Sequence, residues 1–212
     1  MKNRHKLVGN IFLICGAAAL LSCCVLFAIN SLEDSNAGKS CYELTKSAKE
    51  VSPALENAYV SDGASSGKSE SDLPVNTDKV FRVVDVDGYP CCGVLSIPDI
   101  ELEMVVFDTW NDDYLKRSIC RYYGSPLTND LVIAGHNYRS GFGMLNELEI
   151  GDEIYFTDMD GNVTAYRVAD VEVLQGTAVT AMVESGWDLS LYTCTNGGSA
   201  RYTVRAERFG EG

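Results

Sequence analysis

The chain has 212 residues, 46% of them hydrophobic, and a formal net charge of −13, which allows one hydrophobic core with appendages and not two. All of its acidic residues follow Asn30. The bulk of the chain therefore repels polyanions, and no nucleic-acid partner is expected.

The first thirty residues, MKNRHKLVGNIFLICGAAALLSCCVLFAIN, combine a basic start (Lys2, Arg4, Lys6) with an uncharged apolar run from Leu7 to Ile29. A helix of about 20 such residues reaches across ~30 Å of hydrocarbon. Positive charge precedes the run and SLEDSN follows it, so the N-terminus is expected in the cytoplasm and the remainder outside the cell. The run exceeds the ~7–15 apolar residues of a cleaved signal peptide and has no A-x-A site. It also continues through LLSC (residues 20–23) into Val25, Leu26 and Phe27, which lipoprotein processing at Cys23 would not need. Residues 1–30 thus read as an uncleaved single-pass transmembrane anchor.

Residues 31–79 are rich in Ser, Asp, Glu, Asn and Gly, as in SDGASSGKSESD. Such a stretch buries too little apolar surface to offset its ordering entropy and predicts a flexible extracellular stalk. Tyr42 to Val51 has the makings of a short helix that nothing in the sequence enforces.

From residue 80 to 212 the texture changes to VFRVVDV, CGVLSI, LEMVVF, LVIAGH, EIYF, VTAYRVADVEVL, LSLYTCT and RYTVRAER, which predict strands. Asp160-Gly161 between two β-rich runs predicts a hairpin. Asp158, Asp160 and Asn162 alternate as in a calcium loop, but the glycine at position six and the distal glutamate are missing. Helices are predicted over Asn111 to Tyr123 and Gly141 to Leu148. Many short strands with a few short helices make the expected fold mainly β, a small closed barrel of about eight strands.

Three of the eight cysteines, Cys15, Cys23 and Cys24, fall in the apolar run. Cys41, Cys91, Cys92, Cys120 and Cys194 remain, an odd number that leaves at least one thiol free. No C-x-x-C occurs, and the two histidines, His5 and His136, are too few for a zinc site of the usual kind; neither metal nor cofactor is expected. Cys91 and Cys92 would point to opposite faces of a strand, so a bond between them would be strained. Cys120, placed at a helix end, is either a packed residue or a redox partner for Cys194.

Cys194 ends the strand LSLYTC, and His136, the one histidine outside the N-terminal segment, ends LVIAGH. A thiol of ordinary pKa, about 8.5, needs an activating partner because only the thiolate attacks. Arg201 opens the last strand after the turn TNGGSA, so it returns to the edge where Cys194 stands and offers a permanent charge to a developing oxyanion. Singly, each of these residue types is more often structural. Three at strand ends in one barrel point to a nucleophilic site.

LVIAGHN, and LSLYTC followed by an arginine, resemble the signatures of sortases, the cysteine transpeptidases of the Gram-positive cell surface. GVLSIPDIELEMVVF resembles the first two strands of that domain and YLKRSICRYYGS its first helix, so the likeness runs from about Gly93 to Phe209. The resemblance implies Cys194 as nucleophile, His136 as general acid and base, and Arg201 as the residue steadying the substrate carbonyl; Arg205 is the alternative arginine, less favoured because Arg201 lies nearer the cysteine. The resemblance also implies that Thr193 helps line the substrate groove, with Asn137 beside His136; Trp187 and Asp188, just ahead of the Cys194 strand, are expected to border the groove, the alternative for Trp187 being a cap on the barrel. The implied reaction cleaves an LPxTG-like sorting motif of a surface protein through a thioacyl-enzyme, resolved by an amine of a cell-wall precursor or a pilin subunit. His136-Asn137 is as in class B-like members, yet the stretch between VEVL and LSLYTC is short for the long helix of that class. Asp108-Thr109-Trp110 follows the first barrel strands and reads as a helix start rather than a pilin-type lid, so the subclass stays open. The competing reading is a non-catalytic stalked barrel that binds a wall polymer or partner protein with Cys194 buried.

Overall fold

The computed structural model describes residues 2–57, 81–195 and 197–210. The chain forms two units, residues 1–36 and 37–212. The first belongs to helix α1 (Lys2–Val51), and its apolar side chains, among them Phe12, Leu13, Leu20, Leu26 and Phe27, are exposed. Among the described residues this is one helix long and apolar enough to cross a membrane. An uncovered surface of this kind suits hydrocarbon rather than water.

The second unit is built on β1 (Val84–Val86), β2 (Tyr89–Ile97), β3 (Leu102–Phe107), β4 (Ile119–Tyr123), β5 (Leu131–Gly135), β6 (Glu153–Asp158), β7 (Val163–Gln175), β8 (Leu189–Cys194) and β9 (Ala200–Arg208). The strands are ordered β1-β2-β3-β4-β5-β8-β9-β7-β6, and β6 pairs back onto β2, closing strands β2 to β9 into an eight-stranded barrel. Strand periodicity sorts the side chains. Leu131 and Ile133 of β5, Leu189 and Leu191 of β8, and Val204 and Ala206 of β9 fill the interior. A second apolar cluster covers the outside of β2 and β3. Cys92 belongs to the inner cluster and Cys91 to the outer, the opposite-face arrangement expected of neighbours in a strand.

Two expectations need correction. Residues 37–57, read as part of the stalk, are helical through Val51, with a further turn α2 (Ala54–Asn57), and they pack on the barrel. Ala37, Cys41, Leu44 and Ala48 recur every three or four residues and are buried; Leu44, Ala48 and Leu55 lie against Val94, Val105 and Phe107. The Thr45 hydroxyl accepts from Val105 N at 3.0 Å, and Ser52 Oγ donates to Met159 O at 2.6 Å. The short helix expected over Tyr42 to Val51 is thus present as the end of α1, and its buried stripe reaches back to Ala37. The rest of the expected stalk, residues 58–79, lies outside the described residues.

The predicted helix over Asn111 to Tyr123 is only the turn α3 (Asp112–Leu115), capped by Asn111 Oδ1 accepting from Tyr114 N at 2.8 Å. Ile119 to Tyr123 are strand β4, held between β3 and β5. The run ICRYY is β-branched and aromatic, and its slot in the barrel outweighs the helical spacing of Tyr114, Leu115, Ile119 and Tyr122. Cys120 is therefore a strand residue. Over the second predicted helix the chain forms a 3₁₀ helix, Phe142–Glu147. The hairpin at Asp160-Gly161 is present between β6 and β7. Asp158 Oδ1 there accepts from Asp160 N and Asn162 N, both at 2.9 Å, while Asp160 pairs with Arg82 at 2.7 Å.

Candidate active site

Strand register brings the three singled-out residues to one edge. Gly135 and Thr193 are partners in the parallel pair β5–β8, so the next residue of each chain, His136 and Cys194, step off neighbouring strands about 4.8 Å apart. In the antiparallel pair β8–β9 the last partners are Cys194 and Arg201. A Cβ on Gly135 would strike the Phe142 ring at 2.6 Å and Ile119 at 3.0 Å, so this position faces the interior. One residue later, His136 and Cys194 face outward by alternation.

Cys194 is half-buried, whereas Cys41, Cys91, Cys92 and Cys120 are buried, and all five are free thiols. Burial raises the thiols of Cys41 and Cys92 and pushes those of Cys91 and Cys120 up to about 12, so none of these four forms a useful thiolate near neutrality. Cys120 pairs with Ala134 and Ala134 with Tyr192, which puts Cys120 two strands, roughly 10 Å, from the strand of Cys194. A disulfide needs Cα atoms within about 7 Å, so the redox-partner option does not fit and Cys120 is a packed residue.

Partial burial lowers the pKa of His136 below its ordinary 6.5, with Asp112 opposing and Lys116 reinforcing the shift. Both charges come from the α3 turn and the residue after it. The His136 ring lies 5.0 Å from that of Tyr138. The loop that carries both is closed by Phe142 N donating to His136 O at 3.1 Å and Gly143 N to Tyr138 O at 2.9 Å. A Cβ on Gly143 would come within 2.7 Å of Asn137 O, so the loop needs glycine there to close. The Arg201 guanidinium is held at the turn by Nη1 donating to Gly198 O at 3.0 Å and Ala200 O at 3.1 Å.

Of the expected substrate-binding residues, Asn137 is exposed beside His136. Thr193 is 5% exposed and shares the interior face of β8 with Leu189 and Leu191, so it does not line an outer groove. Trp187 precedes β8 (Leu189–Cys194) at the end opposite Cys194; the strand alone spans roughly 17 Å at ~3.3 Å per residue, too far for Trp187 to wall that site. Arg205 lies on the same face of β9 as Arg201 but is buried and paired with Glu172 at 2.7 Å.

Some residues went unnoticed in the sequence. Tyr192, two positions before Cys194 and so on its face, meets Tyr122 edge-on at 5.6 Å, and Tyr122 meets Trp110 edge-on at 6.1 Å. Asp108 and Thr109, expected to start a helix, line an open depression of ≈ 490 Å³ with Trp110, Tyr122 and Arg121. Asp108 there pairs with Arg121 at 2.5 Å. The period-2 spacing from Cys194 points to Tyr192; its ring partner Tyr122 lies on β4, a strand where the sequence predicts helix.

A family model described as a sortase domain matches residues 95–209 of the chain. Among solved structures, sortase C from Clostridium perfringens SM101 is 20% identical with a TM-score of 0.52, over 82% of this chain and 91% of that one. A Clostridium perfringens sortase D5 transpeptidase is 24% identical with a TM-score of 0.50, over 57% and 79%. Listeria monocytogenes sortase A is 20% identical with a TM-score of 0.50, over 57% and 88%. At these identities the structures speak for the fold. Comparison with curated proteins finds no match.

Proposed function

Because this chain belongs to the sortase family, we propose that it is a membrane-anchored cysteine transpeptidase in which Cys194, His136 and Arg201 act together on a sorting motif of the LPxTG type. The observation that carries this reading is the register: Gly135 opposite Thr193 and Cys194 opposite Arg201, which gathers a thiol, an imidazole and a guanidinium at one sheet edge.

In the first half-reaction the Cys194 thiolate attacks a backbone carbonyl, and Arg201 faces the negative charge that develops on the oxygen. Protonated His136 gives its proton to the leaving amine as the C–N bond breaks, leaving a thioester on Cys194 and a neutral imidazole. In the second half an amine attacks the thioester, the imidazole takes its proton, and the thiolate departs. Water in place of the amine gives hydrolysis. Asn137, exposed beside His136, borders the substrate. The apolar helix segment holds the enzyme at the membrane, with the basic N-terminus inside and the barrel outside the cell, where surface proteins bearing sorting motifs and amines of cell-wall precursors or pilin subunits are the reactants.

The test is transpeptidation by the full chain in detergent, using a panel of LPxTG-like peptides and an amine acceptor. Joined product with the wild type, and none with Cys194→Ala or His136→Ala, is the expected result. Equal product from the wild type and Cys194→Ala would contradict the assignment.

A further inference from the structure

The connection between β7 and β8, residues 176–188, is a strap along the outer face of the β8–β9 pair. It starts beside the site, where Gly176 N donates to Ser199 O at 3.1 Å and a Cβ on Gly176 would stand 3.4 Å from Arg201 Nη1. It ends at the far side of the sheet, where Asp188 Oδ2 accepts from Arg208 N at 2.8 Å and Asp188 O from Leu131 N at 3.0 Å. Between these ends runs the short helix α4 (Val179–Val183).

The middle of the strap is held by Arg205. This side chain is 1% exposed and directs its donors in three directions. Nη2 donates to Ala181 O at 2.8 Å and Nη1 to Met182 O at 3.4 Å, both on the strap. Nη1 also donates to Ser190 Oγ of β8 at 2.5 Å, and Nε to Glu172 Oε1 of β7 at 2.7 Å. One guanidinium therefore joins the strap to β7, β8 and β9. Ser190 and Arg205 are cross-strand partners, as are Cys194 and Arg201 at the other end of the same face.

Along that face the strap covers Ser190 and stops short of Cys194. Tyr192 lies between them, half-buried, with Tyr122 and Trp110 on its β4 side. An extended peptide whose carbonyl reaches Cys194 along this face passes over Tyr192, between the Tyr122–Trp110 pair and the strap. We propose that Arg205 is a positioning residue that clasps the strap so that its near part, residues 176–183, walls a peptide-binding trough floored by Tyr192, and so sets substrate affinity rather than the chemical step. Its importance for affinity rests on the reading of Cys194 as the nucleophile; the clasp itself does not.

The test compares the full chain in detergent with R205M, R205K and E172Q, by hydrogen exchange of backbone amides and by steady-state kinetics on a sorting-motif peptide. R205M is expected to speed exchange in residues 176–188 about tenfold more than in β5 and β8, whose amides report only the global loss of stability, and to raise KM about tenfold with kcat nearly unchanged. R205K keeps the charge for Glu172 but loses the fork of donors, so both effects should be intermediate. E172Q, altering a carboxylate that is 36% exposed, should show a smaller effect in the same segment, and it answers the question if R205M does not fold. Unchanged exchange of the strap in R205M, loss of protection spread equally over β5 and β8, or a fall in kcat without a rise in KM would each overturn the proposal. Should the wild type turn over no peptide, the sorting-motif reading fails and the exchange comparison still decides the clasp.

Discussion

Two arginines four residues apart on one face of β9 occupy opposite regions of the β8–β9 pair. At the end where Arg201 stands opposite Cys194, the face is half-open and, among the described residues, the guanidinium is held by turn carbonyls. At the end where Arg205 stands opposite Ser190, the face is closed by the strap, and the guanidinium is surrounded by a carboxylate, a hydroxyl and two carbonyls. The same side chain is available to a ligand in one place and consumed by structure in the other. Residue type and strand face do not separate the two roles; what covers the face does.

The contrast can be broken first at the open end. Cys194→Ala should lower turnover by on the order of 10⁴-fold or more, leaving the denaturation midpoint in place, as befits removal of a nucleophile. R201M should lower kcat about 10²- to 10³-fold, the scale of losing one oxyanion partner, with stability within ~0.5 kcal/mol of the wild type. R205M should do the reverse, losing about 2–4 kcal/mol in denaturant unfolding because the polar partners of a buried cation are left behind. If R201M and R205M change stability equally, the two ends are not different in kind.

Gly135→Ala probes the shared support of both halves of the site. The new Cβ would displace the Phe142 ring, beneath the residue that precedes His136, and a loss of about 1–3 kcal/mol is expected from overpacking. Turnover should fall with it. A variant as stable and active as the wild type would mean that the His136 loop is not anchored there.

The smallest effects concern His136, read by NMR titration of its imidazole. Its midpoint should lie below 6.5 because burial disfavours the imidazolium. Asp112 raises that pKa and Lys116 lowers it, so D112N should move the midpoint further down and K116M should move it up. Shifts of the opposite sign would show that the α3 turn does not face the imidazole.

Much of the barrel was legible because β strands write their burial into alternation: LSLYTC and RYTVRAER carry their inward Leu189, Leu191, Val204 and Ala206 at every second position. The place of Cys194, His136 and Arg201 at strand ends was legible for the same reason. ICRYY was not, since a short aromatic run reads equally well in either period until its neighbours in the sheet are known. Within residues 37–57 the helix over Tyr42 to Val51 was legible, but its packing on the barrel was not, since polar neighbours surround the helical spacing of Ala37, Cys41, Leu44 and Ala48. Thr193 adjoins Cys194 in sequence but points to the interior, as neighbours in a strand must, and Trp187 stands at the other end of β8. The role of Arg205 was beyond sequence, since its partners come from β7, β8 and the strap.

The role of Cys194 is tested most directly on the thiol itself. The full chain in detergent is incubated with an LPxTG-like peptide, without an amine acceptor and at short times, then acid-quenched and digested for mass spectrometry. A thioacyl adduct on Cys194, absent from Cys194→Ala and discharged by a later addition of amine, is the predicted result. An adduct on another cysteine, or turnover of the peptide with Cys194 unmodified and dispensable, would contradict it.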